Sequence, residues 1–185
     1  MEQLIQRHNS MVARTPVQFR RYMYNKIDWS NRMIGLTGPR GVGKTTLVLQ
    51  RIKQQLQGEK VLYVNMEDFY FTTHRLVDFA GQLSKHGYKY LFADEIHRYP
   101  DWSKELKLIY DYYPDLYVVF TGSSVLDIRK GVSDLSRRAV MYHMQGLSFR
   151  EYLEYAHGIV VPVHSLEQIL QQNAEVGAIE HPLAY

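Results

Sequence analysis

The chain has 185 residues, 22 of them Lys or Arg and 19 Asp or Glu, with 45% hydrophobic residues, no cysteine and a formal net charge of +3. That balance excludes a disordered chain, and the missing cysteine excludes disulfides, thiolate metal sites and a cysteine nucleophile. No run approaches the ~20 apolar residues of a membrane span, and Met1–His8 lacks the apolar centre of a signal peptide, so the sequence reads as cytoplasmic, with no membrane partner.

Charge is unevenly spread. Residues 151–185 hold five Glu and neither Lys nor Arg, so residues 1–150 carry a net +8. A basic body of that kind can approach nucleotide phosphates or nucleic acid, although scattered charges of this density also describe an ordinary solvated surface. No Lys/Arg cluster is dense enough for a nucleic-acid tail.

In chain order, a polar helical arm is expected from Met1 to Asp28, interrupted at Thr15-Pro16 because proline disfavours helix at the residue before it. Arg32–Thr37 reads as a short buried strand, followed by the turn Gly38-Pro39-Arg40-Gly41-Val42-Gly43. Apolar Leu47, Val48 and Ile52 mark one face of a helix over Lys44–Leu56, stopped by Gly58. A strand at Val61–Val64, a helix at Thr73–His86 and a strand at Tyr90–Ala93 come next. Then follow a helix at Trp102–Tyr113, closed by Pro114, and strands at Leu116–Phe120 and Ala139–Met144. Helices at Phe149–Ala156 and Leu166–Asn173 lie beyond the sheet. Short apolar strands separated by helices predict an α/β fold with a parallel sheet covered on both faces. The expected organisation is an arm over 1–30, a core over 31–147 and an incomplete helical region over 148–185.

Residues Gly38 to Thr45 match G-x-x-x-x-G-K-[ST] between a strand and a helix, the phosphate-loop pattern. Backbone amides of such a loop turn inward on phosphate oxygens, aided by the helix N-terminus. Gly38, Pro39, Arg40, Gly41, Val42, Gly43, Lys44, Thr45 and Thr46 are the expected nucleotide contacts. Lys44 would reach the β- and γ-phosphates, and the Thr45 hydroxyl would ligate magnesium. The acid pair ending Tyr90–Ala93 supplies the rest: Asp94 for the metal and Glu95 to polarise the attacking water. An acid pair next to a phosphate loop favours hydrolysis. Asn25-Lys26-Ile27-Asp28 and Asp78-Phe79-Ala80-Gly81 spell guanine-nucleotide motifs, but the first precedes the loop by too few residues and the second follows a poor strand. A small-molecule kinase is a further alternative, with a lid near Arg129-Lys130 and Arg137-Arg138.

These residues, with Tyr99-Pro100-Asp101-Trp102, Thr121-Gly122-Ser123-Ser124, Leu135-Ser136-Arg137-Arg138 and Leu147–Tyr152, closely resemble the predicted AAA+ ATPases of bacteria and archaea over about residues 15–160. Members carry an AAA domain and usually an uncharacterised C-terminal domain. The resemblance implies a five-stranded sheet of order 5-1-4-3-2 and a γ-phosphate sensor, Ser123 with Thr121 as second choice. A Gly-Ser turn capping the next helix is the plain alternative for Ser123. It also implies an arginine finger, Arg137 or Arg138, serving a neighbouring subunit of a homo-oligomer, with Arg129 a weaker candidate. Ordinary surface pairing accounts for such arginines equally well.

The second sensor arginine that the family usually carries in a helical lid has no match here, since nothing after Arg150 is basic: either it lies beyond Tyr185 or the protein lacks it, and the chain reads as a fragment or shortened form. His97 reads as a plain hydrogen-bonding residue beside the acid pair. Magnesium-dependent ATP hydrolysis coupled to a protein or DNA partner is therefore the expected function. An ATP-occupied regulatory switch that hardly turns over is the non-enzymatic alternative.

Overall fold

In the computed structural model, residues 1–123, 135–162 and Glu167 are described. Five parallel strands form one sheet: β1 (Met33–Thr37), β2 (Val61–Asn65), β3 (Tyr90–Asp94), β4 (Tyr117–Gly122) and β5 (Val140–His143). Their order is β2-β3-β4-β1-β5, which is the predicted 5-1-4-3-2 read from the other edge. Helices α1 (Glu2–Arg14), α2 (Lys44–Gln55), α3 (Tyr70–Thr73), α4 (Leu76–Lys85), α5 (Trp102–Tyr112) and α6 (Phe149–His157) complete the described secondary structure, with 3₁₀ turns at Tyr22–Lys26 and Ile96–Arg98. Among the described residues no helix is long and apolar enough to cross a membrane.

Successive residues of a strand face opposite sides, and here both sides are buried. Met33, Leu62, Leu91 and Val118 join one apolar cluster with Phe79 and Leu83 of α4 and Leu106 and Ile109 of α5. Their neighbours Ile34, Tyr63, Phe92 and Val119 join the other, with Leu47, Val48 and Ile52 of α2. This is why the strands read as continuous apolar runs rather than alternating ones. Every strand points its C-terminal end the same way, so the loops after β1, β3 and β4 meet along one rim, where open α/β sheets bind ligands.

The chain divides into two compact units, Met1–Ser148 and Phe149–Tyr185. Within the first, α1 packs on β2 and α2. Gln50 of α2 donates to the carbonyls of Pro16 and Phe19, each at 2.8 Å, and Lys53 donates to those of Ala13 and Thr15 at the same distance. Within the second, α6 buries Glu151 and Leu153 and exposes Phe149, Tyr152 and Tyr155.

Three of the sequence-based elements bear comment. The arm is interrupted where expected: α1 ends at Arg14 because Thr15, ahead of Pro16, is extended, and past it the arm is helical again in the 3₁₀ turn Tyr22–Lys26. The helix expected over Thr73–His86 is broken at His74 and Arg75, both extended, into α3 and α4. The break has a tertiary cause: Leu76 N–H donates to the Tyr99 hydroxyl at 3.1 Å, and Val77 N–H donates to buried Glu105 at 3.0 Å. A helix start capped by Tyr99 and by Glu105 of α5 leaves no signal in its own sequence. The helix expected at Leu166–Asn173 lies, apart from Glu167, outside the described residues.

Candidate functional site

The turn after β1 is built for close approach. Gly38 has φ +147°, and a Cβ there would stand 2.1 Å from the Met144 carbonyl oxygen, so only glycine fits. Gly43, with φ +94°, is the residue before α2, and among the described residues no side chain caps that helix. Its first-turn amides therefore face the loop as free donors. The Lys44 side chain is buried and donates to the carbonyls of Gly38 and Pro39, at 2.9 Å each. Burial lowers its pKa, while the carboxylates of Glu95 and Asp94 act in the opposite sense. Thr46 follows half-buried on the first turn, and Arg40 is exposed on the loop.

Across the rim stands Asp94, 2% exposed at the end of β3. Three hydroxyls donate to its carboxylate. Thr45 reaches Oδ2 at 2.8 Å, Tyr63 reaches the same oxygen at 2.7 Å, and Thr121 reaches Oδ1. Burial first, and the Asp94 charge second, push the Tyr63 phenol well above the usual range, so it remains a donor.

Glu95 has left-handed backbone, φ 54° and ψ 43°, which is costly for a residue with a Cβ. Its N–H donates to Thr121 Oγ1 at 3.1 Å, so the one hydroxyl at the end of β4 ties both acids. Ser123 donates to Glu95 Oε2 at 3.0 Å. His97 is buried against this pair, with Nε2 3.4 Å from Ser123 Oγ and Nδ1 3.4 Å from Glu95 Oε2. A cleft of about 220 Å³ is lined by Arg40, Thr45, Asp94, Glu95 and Ser123. A larger and more apolar hollow of about 380 Å³ lies between α1 and β2, and Tyr63 lines both. Only the smaller one contains the loop and the acids, so it is the candidate site.

Magnesium suits this donor set. The Thr45 hydroxyl and the Asp94 carboxylate are hard oxygen donors standing side by side. Among the described residues no group of three or more His, Asp or Glu could hold a metal unaided.

Lys44, Thr45, Asp94, Glu95 and Ser123 are thus brought together, and Thr121 stands with Ser123 rather than in its place. Neither Arg137 nor Arg138 lines the cleft. Arg138 forms a two-pronged pair with Asp111 of α5, at 2.9 and 3.0 Å, whereas Arg137 is exposed on the turn before β5. Ser124 and Arg129 lie outside the described residues. The Asp78–Gly81 motif is inside α4, and Asp28 is spent on its own turn, accepting from Ser30 N–H at 3.0 Å, so neither forms a guanine site.

Sequence reasoning missed two residues. Tyr63 carried a usable signal, a phenol in an otherwise aliphatic buried strand, since buried Tyr seeks a partner for its hydroxyl. Arg21 carried none. Its buried guanidinium donates to the carbonyl of Val42 in the loop and to those of Gln145 and Gly146 after β5, at 3.0 and 2.9 Å.

By interposing β4 between the loop strand β1 and the acid strand β3, the sheet takes the form of an AAA-type nucleotide-binding module. A family described as AAA domain matches residues 30–153, about two thirds of the chain, and the chain belongs to that family. It is 30% identical, over 190 aligned positions covering 89% of its length, to the uncharacterised protein MJ1637 of Methanocaldococcus jannaschii. The chain spans 40% of that relative's length. Among solved structures it is similar to AMPPCP-bound DnaA from Aquifex aeolicus, with TM-score 0.47 and 13% identity over 81% of this chain and 49% of that one.

Proposed function

We propose that this module binds ATP with magnesium and hydrolyses it to ADP and phosphate, its nucleotide state being coupled to movement of a partner or C-terminal part. One observation carries the reading. Glu95 follows Asp94 at the mouth of the phosphate loop, and its carboxylate is held by Ser123 at 3.0 Å.

Lys44 would turn its ammonium to the β- and γ-phosphates, and Thr45 and Asp94 would hold the metal. Bound magnesium supplies charge neutralisation on the phosphate oxygens. Glu95 orients a water and draws its proton as the water oxygen bonds to the γ-phosphorus. The bond from that phosphorus to the bridging oxygen breaks, and the oxygen leaves on ADP. Ser123 can exchange its hydrogen bond with Glu95 for one to the γ-phosphate, which makes it a sensor of that group.

The arginine contribution divides unequally. Arg138 is engaged within its own chain by Asp111, while Arg137 is exposed and has no side-chain partner among the described residues. Arg137 is therefore the better finger toward a neighbouring copy in a homo-oligomer.

Steady-state phosphate release from Mg-ATP, across a range of protein concentrations, tests the whole reading. Turnover per molecule that rises with concentration supports a hydrolase completed by a neighbour. Concentration-independent turnover keeps the hydrolase and removes the finger in trans. Tight ATP binding without turnover overturns hydrolysis and leaves the regulatory switch.

A further inference from the structure

Asp94 is held more tightly than its proposed role requires, and the extra restraint comes from the edge of the sheet. A carboxylate offers about four acceptor positions, two on each oxygen. On Oδ2, Thr45 and Tyr63 fill both, and on Oδ1 Thr121 fills one. Among the described residues, one lone-pair direction of Asp94 remains, on Oδ1. With Thr45 and Thr121 alone the carboxylate would keep a second open position, on Oδ2. Tyr63 closes that one.

Tyr63 is itself held from outside the sheet. β2 is an edge strand, and the backbone N–H of Tyr63 donates to Nδ1 of His8 on α1 at 3.0 Å. An amide can only donate, so His8 Nδ1 must be its acceptor and any proton on the neutral ring sits on Nε2. His8 is 9% exposed and Tyr63 is 5% exposed. An unbroken path therefore runs from α1 through one residue of β2 to the carboxylate.

We infer that Tyr63 is a positioning residue for the magnesium site, restricting Asp94 to a single outward oxygen, and that docking of α1 through His8 tunes this restraint. The inference rests on the proposed role of Asp94 at the metal. Magnesium demands near-ideal octahedral geometry and tolerates a swivelling carboxylate poorly. Partners that orient a metal-binding carboxylate are worth about 10–100-fold in metal affinity in sites where they have been removed.

The test titrates magnesium while following binding of a fluorescent ATP analogue, in wild type, Tyr63→Phe, His8→Leu and His8→Asn, with a parallel set in EDTA. Tyr63→Phe keeps the ring and removes only the hydroxyl. It is expected to raise the half-saturating magnesium concentration about tenfold while leaving metal-free nucleotide affinity unchanged. His8→Leu is expected to shift it in the same direction by less. His8→Asn, whose side-chain oxygen can accept from Tyr63 N–H, is expected to restore it. Thermal unfolding of each variant separates this from loss of fold: a shift in magnesium dependence at unchanged Tm supports positioning.

An unmoved magnesium curve in Tyr63→Phe overturns the inference, as does an equal loss of affinity in EDTA. Wild type that binds the analogue identically with and without magnesium overturns the proposed metal site, and the inference with it.

Discussion

The ends of β3 and β4 differ sharply from the turn that leads into β5. At the first, every acid oxygen discussed above is met by a hydroxyl of the same chain, from Thr45, Tyr63, Thr121 or Ser123. At the second, Arg138 is occupied by a half-exposed surface partner and Arg137 faces solvent. The acidic half of the site is finished within one chain. The basic half beyond Lys44 is displayed on the surface, which is where the proposed finger toward another copy has to stand.

Glu95→Gln attacks the finished half and should have the largest effect, lowering turnover by about 10²–10⁴-fold with ATP affinity retained. Phosphate release and analogue binding read the two separately; a parallel loss of affinity would move Glu95 from chemistry to binding. Arg137→Ala attacks the displayed half, with an expected loss of about 10²–10³-fold, typical of removing one preorganised donor to a developing charge. Arg138→Ala should change turnover little. Mixing Glu95→Gln with Arg137→Ala subunits should recover part of the activity, and failure to do so would erase the distinction between the halves.

A smaller effect is expected at Glu105, which lies behind the acid strand. Glu105→Leu strands the buried Val77 N–H at the start of α4 and should cost about 1–3 kcal/mol in urea unfolding. Arg75→Ala, which removes the exposed side of the same cluster, should cost under about 1 kcal/mol.

The smallest effect concerns pH. Burial holds the His8 pKa below its ordinary value of 6.5. The unfolded chain therefore binds the proton first, and this contribution is complete above about 6.5 and lost as pH falls toward the lower folded value. Unfolding midpoints measured across that window should decline less steeply in His8→Asn than in wild type.

Local pattern made much of this legible. The loop Gly38–Thr45, the pair Asp94-Glu95 and the hydroxyls of Thr121-Gly122-Ser123 each announce themselves within a few residues, at the ends of strands whose apolar runs are unmistakable. The strand order was legible only through family resemblance, because nothing in an apolar strand says which neighbour it pairs with. The Glu105 cap, the phenol of Tyr63 on Asp94 and the reach of Arg21 to Gly146 join residues distant in sequence. Such contacts depend on the finished packing, and composition is silent about them. The same holds for the arginine pair, which Asp111 alone tells apart.

The clamp made by Arg21 bears on how the domain should be cut. The family match starts at residue 30, yet the loop carbonyl of Val42, the edge amide of Tyr63, and the side chains of Gln50 and Lys53 all find their partners before it. A chain trimmed to the matched boundary keeps every phosphate-loop and acid residue but loses the fastenings behind them. Homology and packing thus draw different borders on this molecule, and an isolated AAA domain has to be defined by the second.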